Sequence, residues 1–378
     1  MSGSRATFGL TQASRRWWVT LFVLFGASAS VYAGRNRMAP SSAEFGGPAQ
    51  GTTYSVVLGH GGARTAADTR ALQFSVDSVI ADIDRKMSSY VPESELMRFN
   101  RNTSTAPVSV SAQLEEVLRQ SLAVSEASSG AFDVTVGPLV NAWGFGSGGT
   151  TDRIPSDTLL SALRARVGWK KLHLNGHAVS KDHPALDVDL SAIAPGYTVD
   201  LISELLTARG EPNHFVELGG EVRARGRNAR NEPFRVGIEE PIPDVRRVRS
   251  VVGLSNRSMA TSGNYRDFQD LGGVRYSHIL DPSTGVPVRH NLLSVSVLHK
   301  SCAVADAWAT ALFVVGAERA WDLAAANTLD VLLLTAGPNG EVQERMTNGF
   351  RSIVLTGDEL RPVDHSTRRS DVSKPGVP

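Results

Sequence analysis

Asp306 and Thr310 lie four residues apart in the stretch SCAVADAWATALFVVG, residues 301–316. In a helix that spacing puts a carboxylate and a hydroxyl on one face, one turn apart. Two hard oxygens near a helix start suit Mg²⁺, which accepts few protein ligands and fills the rest of its shell with water and phosphate. The same pattern also fits an acid favoured by the helix dipole and a threonine bonding its own backbone, so spacing alone leaves both readings open.

Three other stretches invite chemistry. DVDLSAIAPGY (187–197) reads as a strand ending in a small-residue loop that opens a helix, and such a loop lets backbone groups approach a phosphate or a metal. In YSHILDPSTG (276–285), His278 has the chemistry of a general base or a phosphate contact, although a histidine beside a strand also serves as a satisfied structural residue. Tyr90, after a helix end in MSSYVP, is placed either to stack on an aromatic ligand or to pack on its neighbour. His173, His177 and His183 are close in sequence, but Asn175-Gly176 makes a turn between the first two, and no HExxH or paired cysteines support a metal there.

The elements that must position these residues follow from periodicity. Thr52–Leu58 alternates as a strand, and Leu72, Val76, Val79, Ile80, Ile83 and Met87 fall at helical spacing over 71–87. Further helices are expected at 112–127, at 157–167, from Pro195 to about Ala208 with Gly210 as its stop, and over 303–325. Strands are expected at 214–218, 234–238, 248–254, 276–279, 292–298, 331–334 and 351–355. Helices and strands mix without strict alternation, which favours an α+β fold with mainly antiparallel sheets over a doubly wound one. The absence of G-x-G-x-x-G and of G-x-x-x-x-G-K-[ST] removes the usual dinucleotide and P-loop readings.

With 378 residues, 41% hydrophobic, the chain is long enough for a large core and is neither collagenous nor wholly disordered. A formal charge of +1 gives no general pull toward nucleic acid. Residues 1–34 carry Arg5, Arg15 and Arg16, no acid, and an uncharged run from Trp17 to Gly34. That is the pattern of an export signal, with Arg15-Arg16 resembling the twin-arginine type; an uncleaved N-terminal anchor is the alternative. Loss of the segment would leave a slightly acidic protein at the periplasmic side of the membrane. Cys302, the one cysteine, excludes an intramolecular disulfide. Residues 35–50 read as a linker, 51–361 as the folded domain and 362–378 as a disordered tail.

Taken in order, eight stretches resemble the ApbE family, the FAD:protein FMN transferases. They are MSSYVPESELMRFN (87–100), SSGAFDVTVGPLVNAWGFG (128–146), DLSAIAPGYTVD (189–200), FVELGGEVRARG (215–226), FRVGIEEP (234–241), MATSGNYRDF (259–268), YSHILDPSTGVP (276–287) and VADAWATALFVVG (304–316). The resemblance implies a Mg²⁺-dependent enzyme that cleaves the FAD diphosphate, releases AMP and leaves FMN on a threonine hydroxyl of another protein. Such acceptors are usually membrane electron-transfer subunits, carrying a sequence of the form Asp-Gly-x-Thr-x-Ala-Thr that this chain lacks.

Carried over by motif, Asp306 and Thr310 would be side-chain metal ligands and Ala194 a backbone ligand. Tyr90 would line the isoalloxazine, with Ala131, Phe132 and Asp133, and with Ser191, Tyr197 and Ile279, holding the rest of FAD. His278 would assist proton removal from the acceptor, with Asp281 as another available base. Two positions depart from the family pattern. Pro195 replaces a lysine that can meet a phosphate, leaving Mg²⁺ alone or another cation such as Arg266. Gln50 stands where a methionine is usual and changes a flavin contact. An FAD pyrophosphatase and a non-catalytic FAD carrier are the competing expectations.

Overall fold

A computed structural model describes residues 43–59, 64–151, 153–242, 247–264, 268–271 and 274–356. The expected export signal, the tail and Arg266 lie outside them. Eight antiparallel strands form the central sheet: β1 (Ala43–Ala49), β2 (Thr52–Leu58), β3 (His214–Leu218), β4 (Glu221–Arg225), β5 (Arg257–Gly263), β6 (Leu292–His299), β7 (Asp330–Ala336) and β8 (Val342–Met346). They lie in the sheet in chain order, so the scaffold is a meander into which every other element but a short helix after β8 is inserted. The α+β, mainly antiparallel expectation holds.

The longest insertion, between β2 and β3, carries α1 (Ala66–Met87), α2 (Glu95–Arg101), α3 (Ala112–Ala127), α4 (Gly137–Ala142), α5 (Asp157–Arg164) and α6 (Ala194–Ala208). Between β6 and β7 stand α7 (Cys302–Val315) and α8 (Ala317–Ala326). Strand alternation sorts the core into layers. Val216 and Leu218 of β3 bury against α1 and α6, while Phe215 buries on the opposite face against the hairpin Phe234–Glu239/Val248–Leu254. Val331 and Leu333 of β7 face the α7 and α8 side, and Leu332 and Leu334 face the hairpin. A satellite core, with Leu139, Trp143, Leu160, Leu271 and Leu280, joins α4 and α5 to the small hairpins at 268–277 and 280–287.

Four expectations need correction. Residues 43–49, placed in a linker because of Gly46, Gly47 and Pro48, form β1: Phe45 and Ala49 are buried, and the strand pairs along its whole length with β2. The 303–325 helix is two helices, broken where Gly316 takes φ +76, a left-handed conformation that glycine adopts at no steric cost. The 351–355 strand is replaced by a short helix, Asn348–Arg351, capped by the Thr347 side chain, and only Val354 bridges to Val252. The strand expected at 276–279 runs over Val274–Ser277, which leaves His278 just beyond its end.

Candidate active site

The site begins where α6 meets α7. A Cβ on Gly196 would lie 2.5 Å from the Cys302 carbonyl oxygen and 2.9 Å from the Ala303 Cα, so glycine is what lets the two helices touch. At that contact the Gly196 N–H donates to Asp306 Oδ2 at 3.2 Å. Pro195, in the first turn of α6, gives up an N–H that had no intrahelical partner anyway. Asp200, one turn further along α6, accepts from Ser301 Oγ (2.7 Å), Cys302 N (2.8 Å) and Ala303 N (3.2 Å), and pairs with Arg223 of β4. That carboxylate therefore caps α7 and fixes the register of Asp306 and Thr310 against the start of α6.

Asp306 is 6% exposed, and burial pushes its carboxyl up to about 7. Glu221, on the helix-facing side of β4, is pushed well above the ordinary carboxylate range by burial, then by the Asp306 and Glu217 charges. Among the described residues no Lys or Arg forms an ion pair with Asp306. Two mutually repelling buried carboxylates are neutralised either by a retained proton or by a bound cation. Thr310 Oγ1 has a 3.3 Å contact with Ser262 Oγ of β5, and the Ala194 carbonyl, in the first turn of α6, accepts from Thr198 Oγ1 at 2.8 Å. Carboxylate, hydroxyl and carbonyl oxygens together match the donor preference of Mg²⁺. No cluster of three or more His, Cys, Asp or Glu side chains is gathered as a metal site among the described residues, in keeping with this mixed set. His173 instead pairs with Asp182 at 2.7 Å, and His177 pairs with Glu115.

The flavin-side candidates divide into two groups. Tyr90 is 67% exposed and lies near Asp189, whose side chain accepts from Ser191 N at 2.8 Å, so Tyr90 and Ser191 flank the loop that opens α6. Gln50, at the β1–β2 turn with φ +48, donates from Nε2 to Thr198 Oγ1 at 2.9 Å, and its buried Oε1 has no partner. The side chains of Phe132, Asp133 and Tyr197 turn into the fold instead. Phe132 is core, and Asp133 is occupied by Thr135 N (2.8 Å), Thr135 Oγ1 (2.6 Å) and Trp169 N (2.8 Å). Tyr197 is buried, which pushes its hydroxyl up to about 12.

Ala131 is half-buried after the left-handed Gly130, and Ile279 joins the same core cluster as Ala194. Next to it, His278 stands edge-on to Phe145 with ring centroids 6.5 Å apart. Asp281 Oδ1 accepts from Ser283 N (2.8 Å) and Ser283 Oγ (2.7 Å) in its own turn.

Glu221, Asp200 and Ser262 are site residues that the sequence reading did not single out. A signal existed for the first: in ELGGEVR, a Gly-Gly turn reverses the chain, and alternation then puts Glu221 and Arg223 on one face. Nothing local tells which helix that face meets.

A family model described as the ApbE family matches residues 50–333. A FAD:protein FMN transferase from Vibrio cholerae is 41% identical over 338 residues, covering 89% of this chain and 98% of that protein. Another, from Haemophilus influenzae, is 38% identical and covers 82% of this chain and 91% of its own length. Among solved structures, flavin transferase ApbE from Vibrio cholerae aligns with a TM-score of 0.76 at 40% identity, over 83% of this chain and 99% of that one. The apo flavinyl transferase ApbE from Pseudomonas stutzeri gives 0.76 at 34% identity, over 85% and 99%. With the α6–α7 site in place and most of its length matched, this chain belongs to the ApbE family.

Proposed function

We propose that this chain transfers FMN from FAD to a threonine hydroxyl of another protein, releasing AMP. The observation that carries the reading is the Asp306 carboxylate, buried against the N-terminus of α6, facing Glu221 and lacking a side-chain cation. Asp306, Thr310 and the Ala194 carbonyl would hold Mg²⁺. That ion supplies charge neutralisation to the diphosphate when bound. The Gly196 N–H and the Asp200 cap hold Asp306 in place before substrate arrives, so little reorganisation is needed during reaction.

The accepting hydroxyl attacks the FMN phosphorus, the bond from that phosphorus to the bridging oxygen breaks, and AMP departs with the bridging oxygen. A neutral threonine is a weak nucleophile and needs a base. His278, which the resemblance marks for this role, is assigned the proton; Asp281, whose Oδ1 accepts from Ser283, is the other base within the same segment. Tyr90, exposed beside the Asp189 loop, offers a ring on which the isoalloxazine stacks. The positive, acid-free start of the chain supports action outside the cytoplasmic membrane, on a subunit of a membrane electron-transfer complex. Among the described residues, no helix is long and apolar enough to cross a membrane.

The test incubates the chain with FAD, Mg²⁺ and a protein bearing an Asp-Gly-x-Thr-x-Ala-Thr sequence, then separates the products on a denaturing gel. Flavin fluorescence on the acceptor, with one AMP per FMN attached, is expected. AMP release with an unlabelled acceptor would identify a pyrophosphatase instead, and bound FAD with neither product a carrier.

A further inference from the structure

We propose that the groove at the C-terminal end of α7 seats the stretch of acceptor polypeptide next to the threonine that receives FMN, an inference that rests on the transferase reading above. The groove has a volume of about 520 Å³ and is walled by Trp143, Tyr276, Thr284, Val286, His290 and Val314.

Its position makes the link. Asp306, Thr310 and Val314 recur every four residues and so share one face of α7. At 1.5 Å rise per residue, Val314 stands about 12 Å along the axis from Asp306, a span that about four residues of extended chain cover. A polypeptide with its hydroxyl at the Asp306 end therefore lays a neighbouring side chain into the groove. Tyr90 and Ser191 flank the α6 loop that meets Asp306, where the flavin is assigned, and the Val314 end of α7 is left for the nucleophile's chain.

The chemistry of the walls fits a peptide better than a phosphate. His290 Nε2 donates to the Phe313 carbonyl at 2.7 Å, so Nδ1 is left as an acceptor, buried and without a partner. A backbone N–H of an incoming chain supplies the missing donor. The Arg289 guanidinium lies over the Tyr276 ring, 4.8 Å from its centroid, which makes a cationic and aromatic shelf rather than an open phosphate clamp. Trp143 is held by Nε1 donating to the Gly285 carbonyl at 2.9 Å, so that wall is rigid. Val286, on the wall of the groove, is an exposed large apolar residue, available to a partner's side chain.

The test uses the full chain and, as probe, a carrier protein bearing Asp-Gly-Ala-Thr-Gly-Ala-Thr. Val286→Glu alters an exposed position and is expected to raise the KM for this carrier at least tenfold, leaving the KM for FAD and the melting temperature unchanged. A second measurement exploits the single native cysteine, which is buried: Val286→Cys, labelled with a maleimide photocrosslinker, is expected to crosslink to the carrier and to be blocked by excess unlabelled carrier. An unchanged carrier KM together with no crosslink overturns the inference, as does a raised KM for FAD alone. If the unmodified chain attaches no flavin to the carrier, the transferase reading has failed and this inference falls with it; a labelled carrier with an indifferent Val286→Glu variant and no crosslink refutes the groove alone.

Discussion

The backbone N–H of Gly196 donates to Asp306 across 3.2 Å, and the same glycine has no room for a Cβ against Cys302. One residue thus sets both the distance between two helices and the hydrogen bond to the carboxylate on which the metal reading depends. Gly196→Ala tests that coupling. Alanine favours a helix by about 1 kcal/mol over glycine, but its Cβ would meet backbone, which cannot swing aside as a side chain would. The expected outcome is a net loss of about 1–3 kcal/mol with at least a tenfold fall in FMN transfer. Thermal melting and a fluorescence gel check it, and a variant as stable and active as the parent would show that α6 and α7 have slack.

Asp200 should be as sensitive as a residue that meets no substrate can be. It caps the start of α7 and pairs with Arg223, both side chains largely buried. Asp200→Ala leaves an arginine unpaired and a helix end uncapped, which should cost about 3–5 kcal/mol. Denaturant unfolding reads the loss; Asp200→Asn, which keeps an acceptor for the cap, should recover part of it.

Stability should depend on pH through two buried groups of opposite sign. Burial raises Glu217 to about 7, so the unfolded chain releases that proton first, and stability is lost as pH rises from about 4.5 to about 7. Burial lowers His214 to about 4, between Ser203 Oγ and the Glu211 carbonyl, so stability is lost as pH falls from about 6.5 to about 4. Glu217→Gln should therefore raise the melting temperature at pH 8 and change it little at pH 4.5. An equal shift at both pH values would mean that Glu217 acts by packing rather than by charge.

How far the sequence alone reached depended on whether the deciding contact was local. The α1 helix was expected from Ala71, and it starts at Ala66 because Thr65 and Asp68 close a capping box that apolar spacing does not register. Strand β1 was hidden by Gly46, Gly47 and Pro48, which read as linker; their strand geometry comes from pairing with β2, and Gly46 is needed where a Cβ would strike the Tyr54 carbonyl at 2.4 Å. The one-turn spacing of Asp306 and Thr310 on a helix was legible because it is a property of one segment. Glu221 facing Asp306 was not, since it requires the β3–β4 register and the docking of a helix from far along the chain. Asp133 shows the opposite limit: motif placed it at the ligand, while its side chain is consumed by Thr135 and Trp169.

The central claim is that Asp306 holds the cation on which flavin transfer depends, and Asp306→Ala tests it most directly. Purified parent and variant are incubated with FAD, Mg²⁺ and the carrier protein, and flavin attached to the carrier is followed over time. The account predicts a variant that melts no lower than the metal-free parent, because an under-neutralised buried carboxylate is gone, and that attaches flavin at least about a thousandfold more slowly. A folded Asp306→Ala variant that labels the carrier at the parent's Mg²⁺-dependent rate would contradict it.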